Sequence, residues 1–128
     1  MSYQSIYRDD AFKQQVVVIT GGGSGIGRCT AHELASLGAT VIIAGRTQEK
    51  LDKVVSEIQE DGGQADGFAF DIRDETAVSE NIAKIVAKYG CIHGLVNNAG
   101  GQFPAPLEAI SQNGFETVVR SNLVGGFL

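Results

Sequence analysis

"VVVITGGGSGIGRC", residues 16–29, is the stretch on which the fold turns. A run of β-branched residues leads into five glycines within seven positions. Glycine loses more conformational freedom on folding than any other residue, so such a cluster costs entropy unless something must come close to the backbone. The run has strand character and the loop follows it directly. Beyond the loop, Ile26, Cys29, Leu34 and Leu37 step with helical spacing to a stop at Gly38. Where a strand gives way to a helix N-terminus, unpaired N–H groups and a partial positive charge suit a phosphate. Gly21 would permit the turn, Gly25 would let a diphosphate approach the main chain, and Gly27 would let the helix pack closely on the sheet.

The same alternation continues outward along the chain. Segments 40–44, 66–70 and 92–97 read as further buried parallel strands. Leu51, Val54, Val55 and Ile58 mark a helix from an N-cap at Thr47 to a stop at Gly62 and Gly63. Val78, Ile82, Ile85, Val86 and Tyr89 mark another, capped by Asp74 and closed by Gly90. Strand–helix–strand units at this spacing predict an α/β fold, a doubly wound, Rossmann-like parallel sheet. A last helix should start at Ser111, with Phe115, Val118, Val119 and Asn122 on one inward side, and it reaches Leu128 with no stop signal. Residues 1–128 are therefore expected to form a dinucleotide-binding domain that is incomplete at its C-terminus. It would hold the first half of the fold plus one further helix, with residues 1–14 as an N-terminal extension.

Composition narrows the function. With 43% hydrophobic and 20% charged residues the chain is globular in character. A net charge of −5 and the lack of any Lys/Arg-rich stretch argue against a nucleic-acid partner. The apolar runs are strand-sized, too short for a membrane span. The opening residues are polar and carry both charge signs, unlike a secretory signal, so a cytoplasmic location is expected. Cys29 and Cys91 are too few for a disulfide framework. Each stands near a histidine, His32 or His93, but neither spacing is a zinc knuckle, so no metal is expected and Cys29 should pack inside.

A P-loop would need lysine and a hydroxyl after Gly27, where Arg28 and Cys29 stand. The spacing Gly21-x-x-x-Gly25-x-Gly27 instead resembles the cofactor motif of the short-chain dehydrogenase/reductase family. Three further motifs are similar to that family's, in order: "FDI" (70–72), "NNAG" (97–100) and "SNL" (121–123). The resemblance implies that Gly21, Gly23, Ser24, Gly25, Ile26 and Gly27 hold the diphosphate. It implies that Asp71 and Ile72 lie against the adenine and that Asn98, Ala99 and Gly100 line the cofactor site. It implies a catalytic role for Asn122 through a water leading to a lysine, whereas the residues alone leave a purely structural role equally open.

Strand two ends "AGR" (44–46), with no carboxylate for a ribose 2′-hydroxyl but a forked cation at Arg46. NADP(H) is therefore expected over NAD(H). The resemblance implies an NADP-dependent oxidoreductase working on a carbonyl, alcohol or enoyl thioester. The segments 97–106 and 111–127 look closer to the enoyl-CoA and dienoyl-CoA reductase branch, which makes an acyl-CoA substrate one option. The family's Tyr-x-x-x-Lys pair is not in this sequence. The alternatives are a non-catalytic NADP(H)-binding module and a truncated fragment without turnover. The family also implies a homo-oligomer, with Gly125 and Gly126 allowing close helix approach.

Overall fold

The computed structural model describes residues 3–102 and 104–128. Strand β1 (Val16–Thr20) is buried at every position, as a central parallel strand must be. Around it lie β2 (Thr40–Gly45), β3 (Gln64–Ala69) and β4 (Gly94–Val96), all parallel, in the order β3-β2-β1-β4. The chain crosses from one side of β1 to the other between β3 and β4, so a switch point opens at the carboxyl end of β1. This is the first half of a doubly wound sheet.

Alternation of side chains along the strands divides the core in two. Val17, Ile19, Val41 and Ile43 pack against α1 (Gly25–Ser36) and α2 (Gln48–Glu60) through Ala31, Ala35, Leu51, Val54 and Ile58. Val16, Val18 and Ile42 face the other way, onto Ile85 of α3 (Glu75–Tyr89). Asp74 caps α3 by accepting the Ala77 N–H at 3.1 Å, and Gly90 ends it in the left-handed region at φ +89°.

Several expectations need correction. The buried stripe of α1 is Gly27, Ala31 and Ala35, while Ile26 is 78% exposed and Cys29 is exposed. Small residues four apart let the helix sit close on the sheet, which turns Ile26 and Cys29 outward. Strand β3 begins at Gln64, and β4 is confined to Gly94–Val96. The last helix is interrupted: α4 (Gln112–Val119) passes through a π turn at Arg120–Val124 into α5 (Gly125–Phe127). Ser111 caps α4 by accepting the Gly114 N–H at 3.0 Å. Gly114 is its buried position, whereas Phe115 is 63% exposed and Asn122 is exposed rather than inward.

The N-terminal segment is tied to this core. Phe12 packs against the first cluster and its N–H donates to the Leu37 carbonyl at 2.8 Å. The hydroxyls of Tyr3 and Ser5 both donate to the Glu33 carboxylate. That hydrogen bond to a carboxylate pushes the Tyr3 hydroxyl up to about 12.

Candidate cofactor site

The glycine loop separates into positions that are packed and one that is open. Gly21 has φ +68°, and a Cβ there would lie 2.8 Å from Asn98 Nδ2. A Cβ on Gly27 would fall on the Gly21 carbonyl oxygen. One on Gly22 would lie 2.5 Å from Ile43 Cγ2, so Gly22 is held by β2. At Gly25, φ +55°, nothing lies within 4 Å of an added Cβ. The first-turn N–H groups of Gly25, Ile26 and Gly27 have no acceptor among the described residues. Ser24, the N-cap, makes no capping bond through its hydroxyl. Open space over unpaired donors at a helix N-terminus fits a diphosphate.

A buried threonine holds the loop in place. Thr20 Oγ1 accepts the N–H groups of Asn98 at 3.1 Å and Ala99 at 3.0 Å, and donates to the Val96 carbonyl at 3.4 Å. Asn98 Nδ2 donates to the Gly21 carbonyl at 3.2 Å. Together these bonds clip the end of β4 to the end of β1 and shape the turn. Thr20 escaped the sequence reading as a site residue. A hydroxyl ending an otherwise apolar strand was the available signal.

The carboxyl ends of β1, β2 and β3 border a cleft of about 390 Å³. It brings together Gly21, Gly23 and Ser24 of the loop, Arg46, Asp71, Ile72, Ala99 and Gly100. Gly25, Ile26, Gly27, Asn98 and Asn122 stand outside its lining; Gly27 and Asn98 act on the loop's shape. Two cations were missed: Lys50, in the first turn of α2, and Arg73, two residues after Asp71. A cation in the first turn of α2, directly after the strand end that carries Arg46, was the available signal for the first.

Asp71 is gripped by Arg73. Its Oδ1 accepts from Arg73 N at 2.9 Å and Nε at 3.0 Å, and its Oδ2 accepts from the guanidinium at 2.7 Å. Those hydrogen bonds hold its carboxyl down at about 2, against the opposing push of burial. Since Asp74 caps α3, Asp71 is not needed as a cap. Ile72 packs on Gly125, where a Cβ would lie 2.9 Å from Ile72 Cδ1, so Gly125 serves close packing within the chain.

Asn122 sits in the π turn, where Nδ2 donates to the Gly101 carbonyl at 2.6 Å and the Val118 carbonyl at 2.9 Å. A Cβ on Gly100 would strike its Oδ1. The side chain thus anchors the loop after β4 to the helix. Among the described residues no three His, Cys, Asp or Glu gather as a metal site, and Cys29 and Cys91 are both free and exposed.

Comparison with known proteins agrees with this geometry. The model of the short chain dehydrogenase family matches residues 15–128. A probable 2,4-dienoyl-CoA reductase of Caenorhabditis elegans is 42% identical over 124 residues, covering 95% of this chain and 40% of its own length. Among solved structures, the citronellol catabolism dehydrogenase of Pseudomonas aeruginosa PAO1 matches with a TM-score of 0.94 and 60% identity, over 98% of this chain and 52% of that one. A metagenomic short-chain oxidoreductase in complex with NADP matches with a TM-score of 0.82 and 36% identity, over 89% of this chain and 52% of that one. The chain spans about half the length of these proteins, or less. With the glycine loop, the switch-point cleft and a family match over nearly its whole length, this chain belongs to the short-chain dehydrogenase family.

Proposed function

We propose that this chain is the NADP(H)-binding half of an oxidoreductase that transfers hydride to or from a carbonyl, an alcohol or an enoyl thioester. The observation that carries the choice of NADP(H) is the end of β2. Gly45 offers no carboxylate there, while Arg46 and Lys50 line the cleft beside it. A ribose 2′-phosphate needs such cations, and a free ribose hydroxyl would favour an acid in their place.

The residues divide the work. The open amides at Gly25, Ile26 and Gly27 would hold the diphosphate, with Gly21, Gly23 and Ser24 shaping the approach. Asp71 and Ile72 would border the adenine end, and Ala99 and Gly100 would line the path beyond it. Asn122 would set the loop after β4 and take part in catalysis through ordered water. When bound, the nicotinamide supplies the hydride donor or acceptor. The relatives named for dienoyl-CoA reduction and for citronellol catabolism support a substrate with an unsaturated or branched aliphatic chain, as an acyl-CoA or an alcohol. We place the intact protein in the cytoplasm as a homo-oligomer, as two exposed free thiols and the exposed apolar Leu123 and Phe127 suggest.

Fluorescence titration of the intact protein with NADPH and NADH tests this reading. Wild type should favour NADPH, and Arg46→Asp should weaken NADPH at least about tenfold while leaving NADH as tight or tighter. An unchanged NADPH affinity in that variant overturns the assignment.

A further inference from the structure

Among the described residues, Asp71 is the sole carboxylate lining the cleft, and it shares that cleft with Arg46, Lys50 and Arg73. A bare carboxylate there would repel an anionic phosphate seated on Arg46 and Lys50. Arg73 prevents this. Its Nε and guanidinium terminus reach both oxygens of Asp71, at 3.0 Å and 2.7 Å, and its backbone N–H adds a third donor at 2.9 Å. The fork of arginine matches a carboxylate in this two-pronged way, where lysine offers a single point of charge. Both side chains of the pair are 33% exposed, so solvent moderates but does not abolish the effect. Arg46 carries no ion pair among the described residues, which leaves its charge for a ligand.

We propose that Arg73 is a positioning and specificity-determining residue that neutralises Asp71, so that the cleft meets a 2′-phosphate with the undiminished charge of Arg46 and Lys50. This deepens the NADP(H) reading above and rests on it. The role differs from simple stability support, because an unmasked carboxylate penalises NADPH and leaves NADH nearly untouched.

The test measures dissociation constants for NADPH and NADH by nucleotide fluorescence in the intact wild type, Arg73→Gln, Arg73→Lys and the double variant Asp71→Asn/Arg73→Gln. In Arg73→Gln the NADPH-to-NADH affinity ratio should fall about two- to fivefold, the range of one partly exposed charge pair. Arg73→Lys, which keeps the charge, should retain most of the ratio, and the double variant should restore it. An unchanged ratio in Arg73→Gln, an equal loss for both nucleotides in that variant, or a ratio that stays low in the double variant overturns the proposal. A wild type without preference for NADPH sinks the NADP(H) reading instead, and the wild-type to Arg73→Gln comparison still reads the masking directly.

Discussion

Gly25 and Gly27 stand two positions apart and meet opposite surroundings. An added methyl at Gly25 enters open space, although φ +55° resists it, whereas at Gly27 it strikes the Gly21 carbonyl. Gly27→Ala should therefore cost about 1–3 kcal/mol, as overpacking against backbone does. Urea denaturation of the two alanine variants should show the larger loss at Gly27, about 1–2 kcal/mol being expected at Gly25 from its left-handed backbone alone. Equal midpoints for Gly27→Ala and wild type would contradict this packing. The role of Gly27 was readable from its spacing, because a glycine inside the first turn of a helix has few other reasons to exist. The reason for Gly22 was not: the Ile43 side chain that excludes a Cβ comes from β2, some twenty residues away in sequence.

At the scale of elements, Thr20 joins β1 to the end of β4 with a single hydroxyl. Thr20→Val keeps the shape and removes the acceptor, leaving the Asn98 and Ala99 N–H groups without their partner. Each unsatisfied donor costs about 1–3 kcal/mol where water cannot reach it. Chemical denaturation should show that loss for Thr20→Val and much less for Thr20→Ser. Amide exchange at Asn98 and Ala99 should quicken in the valine variant, and unaltered exchange would count against the clip. Strands β1 and β2 and the three main helices were legible because burial on both faces leaves continuous apolar runs in those strands, and because helix caps and glycine stops are local chemistry. By contrast β3 and β4, also expected to be buried, lie half-exposed at the two edges of the sheet. The faces of α1 and α4 were less so. Apolar spacing nominated Ile26, Cys29 and Phe115, yet the sheet receives Ala31 and Ala35, and Phe115 stays exposed. Periodicity marks which residues are apolar, whereas packing distance decides which of them are covered.

For the whole molecule, an acidic chain with a net charge of −5 gathers Arg46, Lys50 and Arg73 at one cleft. The pairing of Asp71 with Arg73 also links stability to pH. The folded carboxyl is lowered from 3.8 to about 2, so its contribution is full above 3.8 and disappears as pH falls through about 2. Thermal melting of wild type and Asp71→Asn should differ most near neutrality and converge across that acid window. A difference that grows on acidification would refute the link. Asp66 adds to the same acid sensitivity: burial raises its carboxyl, but hydrogen bonds from Lys88 and Tyr89 more than offset this and leave it lowered.

The sequence by itself determined the class of fold, the order of elements, the glycine loop between β1 and α1 and the cation that follows β2. These are written in runs of neighbouring residues, where backbone sterics, side-chain alternation and helix capping act over one to four positions. Tertiary structure alone decided that Thr20 clips two strands, that Asn98 shapes the glycine turn, that Ile72 packs on Gly125, and that Asp71 shares one cleft with Arg46 and Lys50. Each of those relations joins residues that only the parallel crossovers bring together. Their contacts depend on distances set by the packed sheet, a quantity that no local spacing encodes.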